Sequence, residues 1–267
     1  MAHCYDKEGN PHFDLTPAKA KKAGLYFSVT EHQKVIGKPG LEIWKLHEHL
    51  KTAHMHPPFN GEDAAAYIKR IKGITYRTGG GAAELGSKIH AAIEEVLIEE
   101  KTLDDIEPEL LKFVAPAIRY FKSKNFEVLD IEKTVVNSDE GYAGTADAAC
   151  LTSCGKKFIL DWKSRKTGGR KVEPYSGQPE QVAAYGAAYF GSDAVTANEV
   201  WGLNVFIATD KFTDDGEAEI YVTSYKPEEM ARNYDTFCLV AELWRRIEGY
   251  DPRFVDKTSY INESEKK

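Results

Sequence analysis

The stretch FILDWK, residues 158–163, is an apolar run that stops on a carboxylate, an aromatic ring and an ammonium. Alternation along a strand puts Asp161 and Lys163 on one face and Phe158, Leu160 and Trp162 on the other. One side of such a strand is committed to a core, while the other carries paired charge at its end. A carboxylate there can hold a divalent cation, and the lysine can steer or deprotonate a water beside it. A strand-end salt bridge would use the same two residues, so the pair is only as informative as its surroundings.

Those surroundings begin with a change of period near residue 125. From there EVLDIEKTVV (127–136), GYAGTADAACL (141–151) and KKFILDW (156–162) read as three consecutive strands, joined by NSDE and TSCGKK as hairpin turns. Asp147 lies in the second strand. Sequential antiparallel strands are neighbours, so Asp147 can face Asp161 across the pair. Aspartate is disfavoured inside strands. On a buried face it needs a partner, and a metal ion is a suitable one.

Upstream, the apolar spacing is helical. ELGSKIHAAIEEVLIEE, residues 84–100, carries Ile89, Ile93, Val96 and Leu97 as a buried stripe, with His90 and Glu94 four apart beside it. That pair can be an intrahelical contact at the edge of the core, or a metal ligand with a supporting carboxylate. A further helix covers 107–125, with Pro108 in its first turn. Before these, Leu41, Trp44 and Leu50 suggest an amphipathic helix after Pro39, and a short helix starts near Glu62. YRTGGGAAELG reads as a flexible connection; with no strand before it and no Walker lysine after it, it does not make a phosphate loop. His47, His49, His54 and His56 lack metal-ligand spacing and read as surface histidines. Residues 1–25, with the basic run PAKAKKAG, read as an extended arm.

Downstream, SRKTGGRK (164–171) places Arg165, Lys166 and Arg170 directly after the Asp-x-Lys pair, the densest basic patch in a chain of net charge −7. That net charge is unlike a protein that coats DNA by bulk electrostatics, but a groove needs only local positive charge. GQPEQVAAYGAAYF (177–190) is a small-residue helix with Gln181 and Tyr185 on one face. Strands over 201–208 and 218–225 and a closing helix over 226–250 complete the chain, with a tail over 256–267. The expected architecture is α/β, a mixed central sheet flanked by helices, in one domain over 26–255: a helical N-terminal part (26–125), a core (84–225) and the closing helix. No apolar run approaches the roughly 20 residues needed to cross a bilayer, and the first residues lack a signal-peptide core, so a cytoplasmic location in a bacterial or phage-infected cell is expected.

In this order, GSKIHAAIEE (86–95), GTADAA (144–149), ILDWKS (159–164) and QVAAY (181–185) resemble the PD-(D/E)XK nuclease superfamily, in its RecB-like, phage-type exonuclease branch. YFSVTEHQKVIGKPGLEIWK (26–45) is similar to the opening of phage exonucleases and of their mitochondrial genome-maintenance relatives. The resemblance implies a restriction-endonuclease-like core and a metal-dependent DNA exonuclease acting on ends or single strands, in recombination or repair alongside a partner protein. It assigns one or two Mg²⁺ or Mn²⁺ ions to His90, Asp147, Asp161 and the Trp162 carbonyl. Lys163 would position or activate water, Glu94 would bind a second ion or support His90, and Gln181 and Tyr185 would align the phosphate. Ser164, Arg165, Lys166 and Arg170 would meet the DNA backbone. Many relatives also hold an iron–sulfur cluster on one N-terminal and three C-terminal cysteines. Here Cys4, Cys150, Cys154 and Cys238 do not fit that arrangement, so no cluster is expected and the four read as reduced thiols. The competing expectation is a catalytically silent module that binds DNA ends or single strands on the same fold.

Overall fold

The computed structural model describes residues 3–255; the tail over 256–267 lies outside the described residues. In chain order the elements are β1 (Cys4–Tyr5), α1 (Pro17–Lys22), β2 (Tyr26–Ser28), α2 (Val29–His32), α3 (Pro39–Met55), α4 (Ala64–Leu97) and α5 (Pro108–Ser123). The core follows as β3 (Glu127–Asn137), β4 (Tyr142–Leu151), β5 (Lys157–Arg165), α6 (Gln178–Phe190), α7 (Ser192–Thr196), β6 (Val200–Phe212), β7 (Ala218–Tyr225) and α8 (Pro227–Glu248). The fold is α/β, with one mixed seven-stranded sheet flanked by helices.

The sheet runs β1-β2-β4-β5-β6-β7, and β3 pairs along β4. The β3–β4, β4–β5 and β6–β7 pairs are antiparallel; β5–β6 and β2–β4 are parallel. Because β3 occupies one edge of β4 throughout, β2 and β5 must share the other. Tyr142 and Ala143 pair with β2, and Ala148–Leu151 pair with β5. Between them, Gly144–Asp147 mark the place where β4 leaves one neighbour for the next. This fork positions the site.

Alternation sorts the two faces of the sheet. Leu160, Trp162, Ala148, Leu203 and Val205 pack against Ile89 and Ile93 of α4 and Phe113 and Ile118 of α5. On the opposite face, Ile159 and Ala149 pack beneath Val182, Ala183 and Ala187 of α6, with Met230 and Phe237 of α8 behind them. Ile89, Ile93, Leu160 and Ile159 are fully buried, and each such side chain contributes about 1.5–3 kcal/mol over its exposed state. The small side chains of α6 bring that helix close enough for Tyr185 to touch the strand backbone.

Three expectations are corrected. The expected arm over 1–25 is, over its described residues 3–25, not extended chain but part of the fold. β1 pairs with β2, and Cys4, Ala20 and Leu25 are buried with Phe27, Trp244 and Tyr250. A two-residue strand is too short to show a period. Secondly, YRTGGGAAELG is not a connection but lies inside α4, which begins at an Asp63 cap whose carboxylate accepts from Ala66 N. Helix on both sides in one phase carries the backbone through the glycines, overriding a propensity cost of about 1 kcal/mol each. Thirdly, Leu41, Trp44 and Leu50 are exposed rather than turned to a core, because α3 lies against α4 at a distance from the sheet.

Gly81 has open space where a Cβ would stand. Gly81→Ala should therefore stabilise the protein by about 0.5–1 kcal/mol, read as a rise in the midpoint of thermal or urea unfolding. A fall would mean that the helix is broken at this point.

Candidate functional site

Asp147 is the first β4 residue beyond the ladder with β5. Its Oδ2 accepts from Trp162 N at 2.6 Å, so a side chain supplies the rung that the diverging backbones no longer provide. His90, one turn after Gly86 on α4, reaches the same point: Nδ1 lies 3.7 Å from Asp147 Oδ2. α4 can come this close because Gly86 faces Ser164, whose Oγ would be 2.7 Å from an added Cβ.

On β5, Lys163 Nζ donates to Asp161 Oδ1 at 2.6 Å, and Asn204 Nδ2 donates to Asp161 Oδ2 at 2.7 Å. Tyr225 OH in turn donates to Asn204 Oδ1 at 2.7 Å. Asp161 is 1% exposed, and both of its oxygens are occupied. Asn204 and Tyr225 were not singled out from sequence; Asn204 sits opposite Asp161 in the β5–β6 register, a signal that appears only once the strands are aligned.

A cleft of about 500 Å³ opens over these groups, with His90, Glu94, Asp147, Lys163, Ser164 and Glu132 on its walls. Glu132, on β3, escaped the sequence reading: a single acid in IEKTVV follows no pattern. A nitrogen of His90 and one carboxylate oxygen each from Glu132 and Asp147 lie within 4.8 Å of one another.

The electrostatics follow from burial and crowded negative charge. Burial, with Asp147, Glu94 and Asp161 nearby, pushes the Glu132 carboxyl up to about 8. Burial raises Asp147 against the pull of Lys163, and it carries Asp161 up to about 6 despite its ion pair. Burial also lowers His90 to about 4, helped by the Lys163 charge, which leaves a neutral imidazole with a lone pair to offer. For Lys163 burial works downward, but Asp161 and Asp147 outweigh it and hold the ammonium above its ordinary value. The cleft thus gathers more carboxylates than its single lysine can neutralise. A hard cation suits this set of oxygens and one imidazole nitrogen.

The other expected residues divide. Glu94 lines the cleft. Gln181 Nε2 donates to Tyr185 OH at 2.9 Å, but Tyr185 is buried and packs on β4 at Gly144, where an added Cβ would meet its ring at 2.6 Å. The pair sits behind the carboxylates rather than on the cleft wall. Gly144→Ala must displace that ring and should cost about 1–3 kcal/mol, measured by denaturant unfolding. Of the expected DNA contacts, Ser164 lines the cleft, whereas Lys166 and Arg170 are exposed on the loop beyond it. Arg165 belongs to β5 and holds that loop: it donates to Glu173 O at 2.9 Å and stacks 3.8 Å over the Tyr175 ring. Asp210 fixes the loop's turn by accepting from Thr167 N at 2.7 Å and Gly168 N at 2.9 Å.

Among the described residues no helix is long and apolar enough to cross a membrane. No protein-family model matches the chain, and no curated protein matches it. Among solved structures, one described as "Crystal structure of SSO0001" is similar over 73% of this chain and 85% of that chain, at 14% identity and a TM-score of 0.29. That likeness is too distant to carry an argument about fold or chemistry.

Proposed function

We propose that this protein is a divalent-metal-dependent nuclease of the PD-(D/E)XK type, with a restriction-endonuclease-like core, that hydrolyses DNA phosphodiester bonds from ends or on single strands. The observation that carries the reading is the convergence at the β4–β5 fork. Asp147 and Lys163, set apart by sequence, line one open cleft with His90, and the buried Asp161 holds Lys163 from behind.

Phosphodiester hydrolysis needs a water-derived nucleophile, compensation of the phosphate charge and a stabilised leaving oxygen. The residues present fit Mg²⁺ or Mn²⁺, with His90 and Asp147 holding the ion; when bound, it lowers the pKa of water and offsets phosphate charge. The chain's own groups do the rest. Burial keeps His90 neutral beside Asp147. Lys163 stays protonated, so its role is to place positive charge and a proton donor beside the phosphate rather than to deprotonate water. Asp161 holds that ammonium in place, and Asn204 and Tyr225 fix Asp161 from behind. Ser164 offers a hydroxyl at the cleft wall, and Lys166 and Arg170 offer exposed charge where the DNA backbone would leave it.

Incubation of end-labelled single- and double-stranded DNA, with either the 5′ or the 3′ end blocked, tests the reading. Degradation with Mg²⁺ or Mn²⁺, stopped by EDTA, is expected. Intact DNA with both metals, together with retained binding to it, would favour a silent DNA-binding module.

A further inference from the structure

The geometry offers a cation one more carboxylate than the resemblance assigns. We infer that Glu132 on β3 supplies a further carboxylate to the cation centre, beside His90 and Asp147. This rests on the proposed metal-dependent reading and specifies its ligand set.

Two observations lead there. The ligating atoms of His90, Glu132 and Asp147 lie within 4.8 Å of one another. Octahedral coordination at about 2.1 Å sets ligand atoms roughly 3.0–4.2 Å apart, so closing on an ion requires movement of less than about an ångström. Asp161, nearby, holds Lys163 with one oxygen and Asn204 with the other at full burial. Each of these oxygens keeps a second lone pair, so Asp161 can face an ion without releasing either partner. Secondly, the backbone at Glu132 is left-handed inside a strand. The ladder with β4 runs in register on both sides, Ile131 opposite Ala148 and Lys133 opposite Ala146, yet Glu132 between them has φ 47°. A side chain other than glycine is strained in that region. No turn requires it here, and its consequence is a carboxylate on the cleft wall beside Asp147. One imidazole and two carboxylates leave room for several waters, the coordination that Mg²⁺ and Mn²⁺ accept.

The test is Mn²⁺ binding to the full chain, followed by loss of the free-ion paramagnetic resonance signal, together with the Mn²⁺-induced rise in Tm. Wild type should bind Mn²⁺ and gain Tm with it. Glu132→Gln, nearly isosteric, should bind at least about tenfold more weakly. Glu132→Gly provides a second route, because glycine adopts the left-handed backbone without strain. It should keep an unchanged or higher Tm in EDTA yet lose the Mn²⁺-induced rise. Binding within about twofold of wild type in both variants would overturn the Glu132 assignment and leave the nuclease reading standing. Absence of Mn²⁺ binding in wild type itself would overturn both.

Discussion

Lys163→Ala should abolish DNA cleavage, with a rate loss of about 10²–10³ or more, while DNA binding persists. The magnitude follows from the place of the ammonium: it is the one cation on the wall of the cleft among the described residues, held 2.6 Å from Asp161. Removing a single preorganised group that stabilises developing charge typically costs that much. The substitution should also weaken the fold. Asp161, 1% exposed, would keep only its Asn204 hydrogen bond. Removing one member of a buried ion pair costs about 3–5 kcal/mol, and the partial exposure of Lys163 points to the lower end. That corresponds to a fall in Tm of roughly 5–10 °C for a chain of this size. Circular dichroism and a cleavage assay below the lowered Tm separate the two effects. Near wild-type cleavage by a folded Lys163→Ala protein would remove the lysine from the chemistry.

The second large effect is at Asp147, where two substitutions part chemistry from structure. Asp147→Asn keeps an oxygen to accept from Trp162 N but loses the charge that a cation requires. Cleavage and metal binding should both disappear, by at least about 10³ in rate, whereas Tm without metal should hold or rise, because a buried carboxylate held above its ordinary pKa is replaced by a neutral amide. Asp147→Ala removes the acceptor as well. The buried Trp162 N–H is then left without its partner, a cost of about 1–3 kcal/mol. The predicted order of metal-free Tm is therefore Asp147→Asn at or above wild type, and Asp147→Ala below both.

Much of this was legible from the residues because period and punctuation agree along the core. The strands from β3 to β7 follow apolar alternation bounded by turn residues, and Asp147 stands out as an aspartate inside a strand. Phe158, Leu160 and Trp162 do turn to the α4–α5 side while Asp161 and Lys163 pair with each other. What stayed hidden has physical reasons. Glu132 is one acid in an ordinary β pattern, and its left-handed backbone leaves no trace in residue type. The fork of β4 depends on β2, a three-residue strand brought from far upstream to Tyr142 and Ala143. Sequence alternation placed Asp161 on the correct face but could not say that Asn204 and Lys163 would occupy both of its oxygens. The continuity of α4 was masked by its three consecutive glycines, where local propensity argues for a break and the two helical flanks argue against one.

The β4–β5 fork is tested most directly by release of label from end-labelled DNA, with wild type, Asp147→Asn and Lys163→Ala at equal concentration and the same Mn²⁺. Wild type should release label and stop on addition of EDTA, while both variants, folded by circular dichroism, release none. Label release by Asp147→Asn at the wild-type rate, or cleavage by wild type that persists in EDTA, would contradict a metal-dependent nuclease site at this fork.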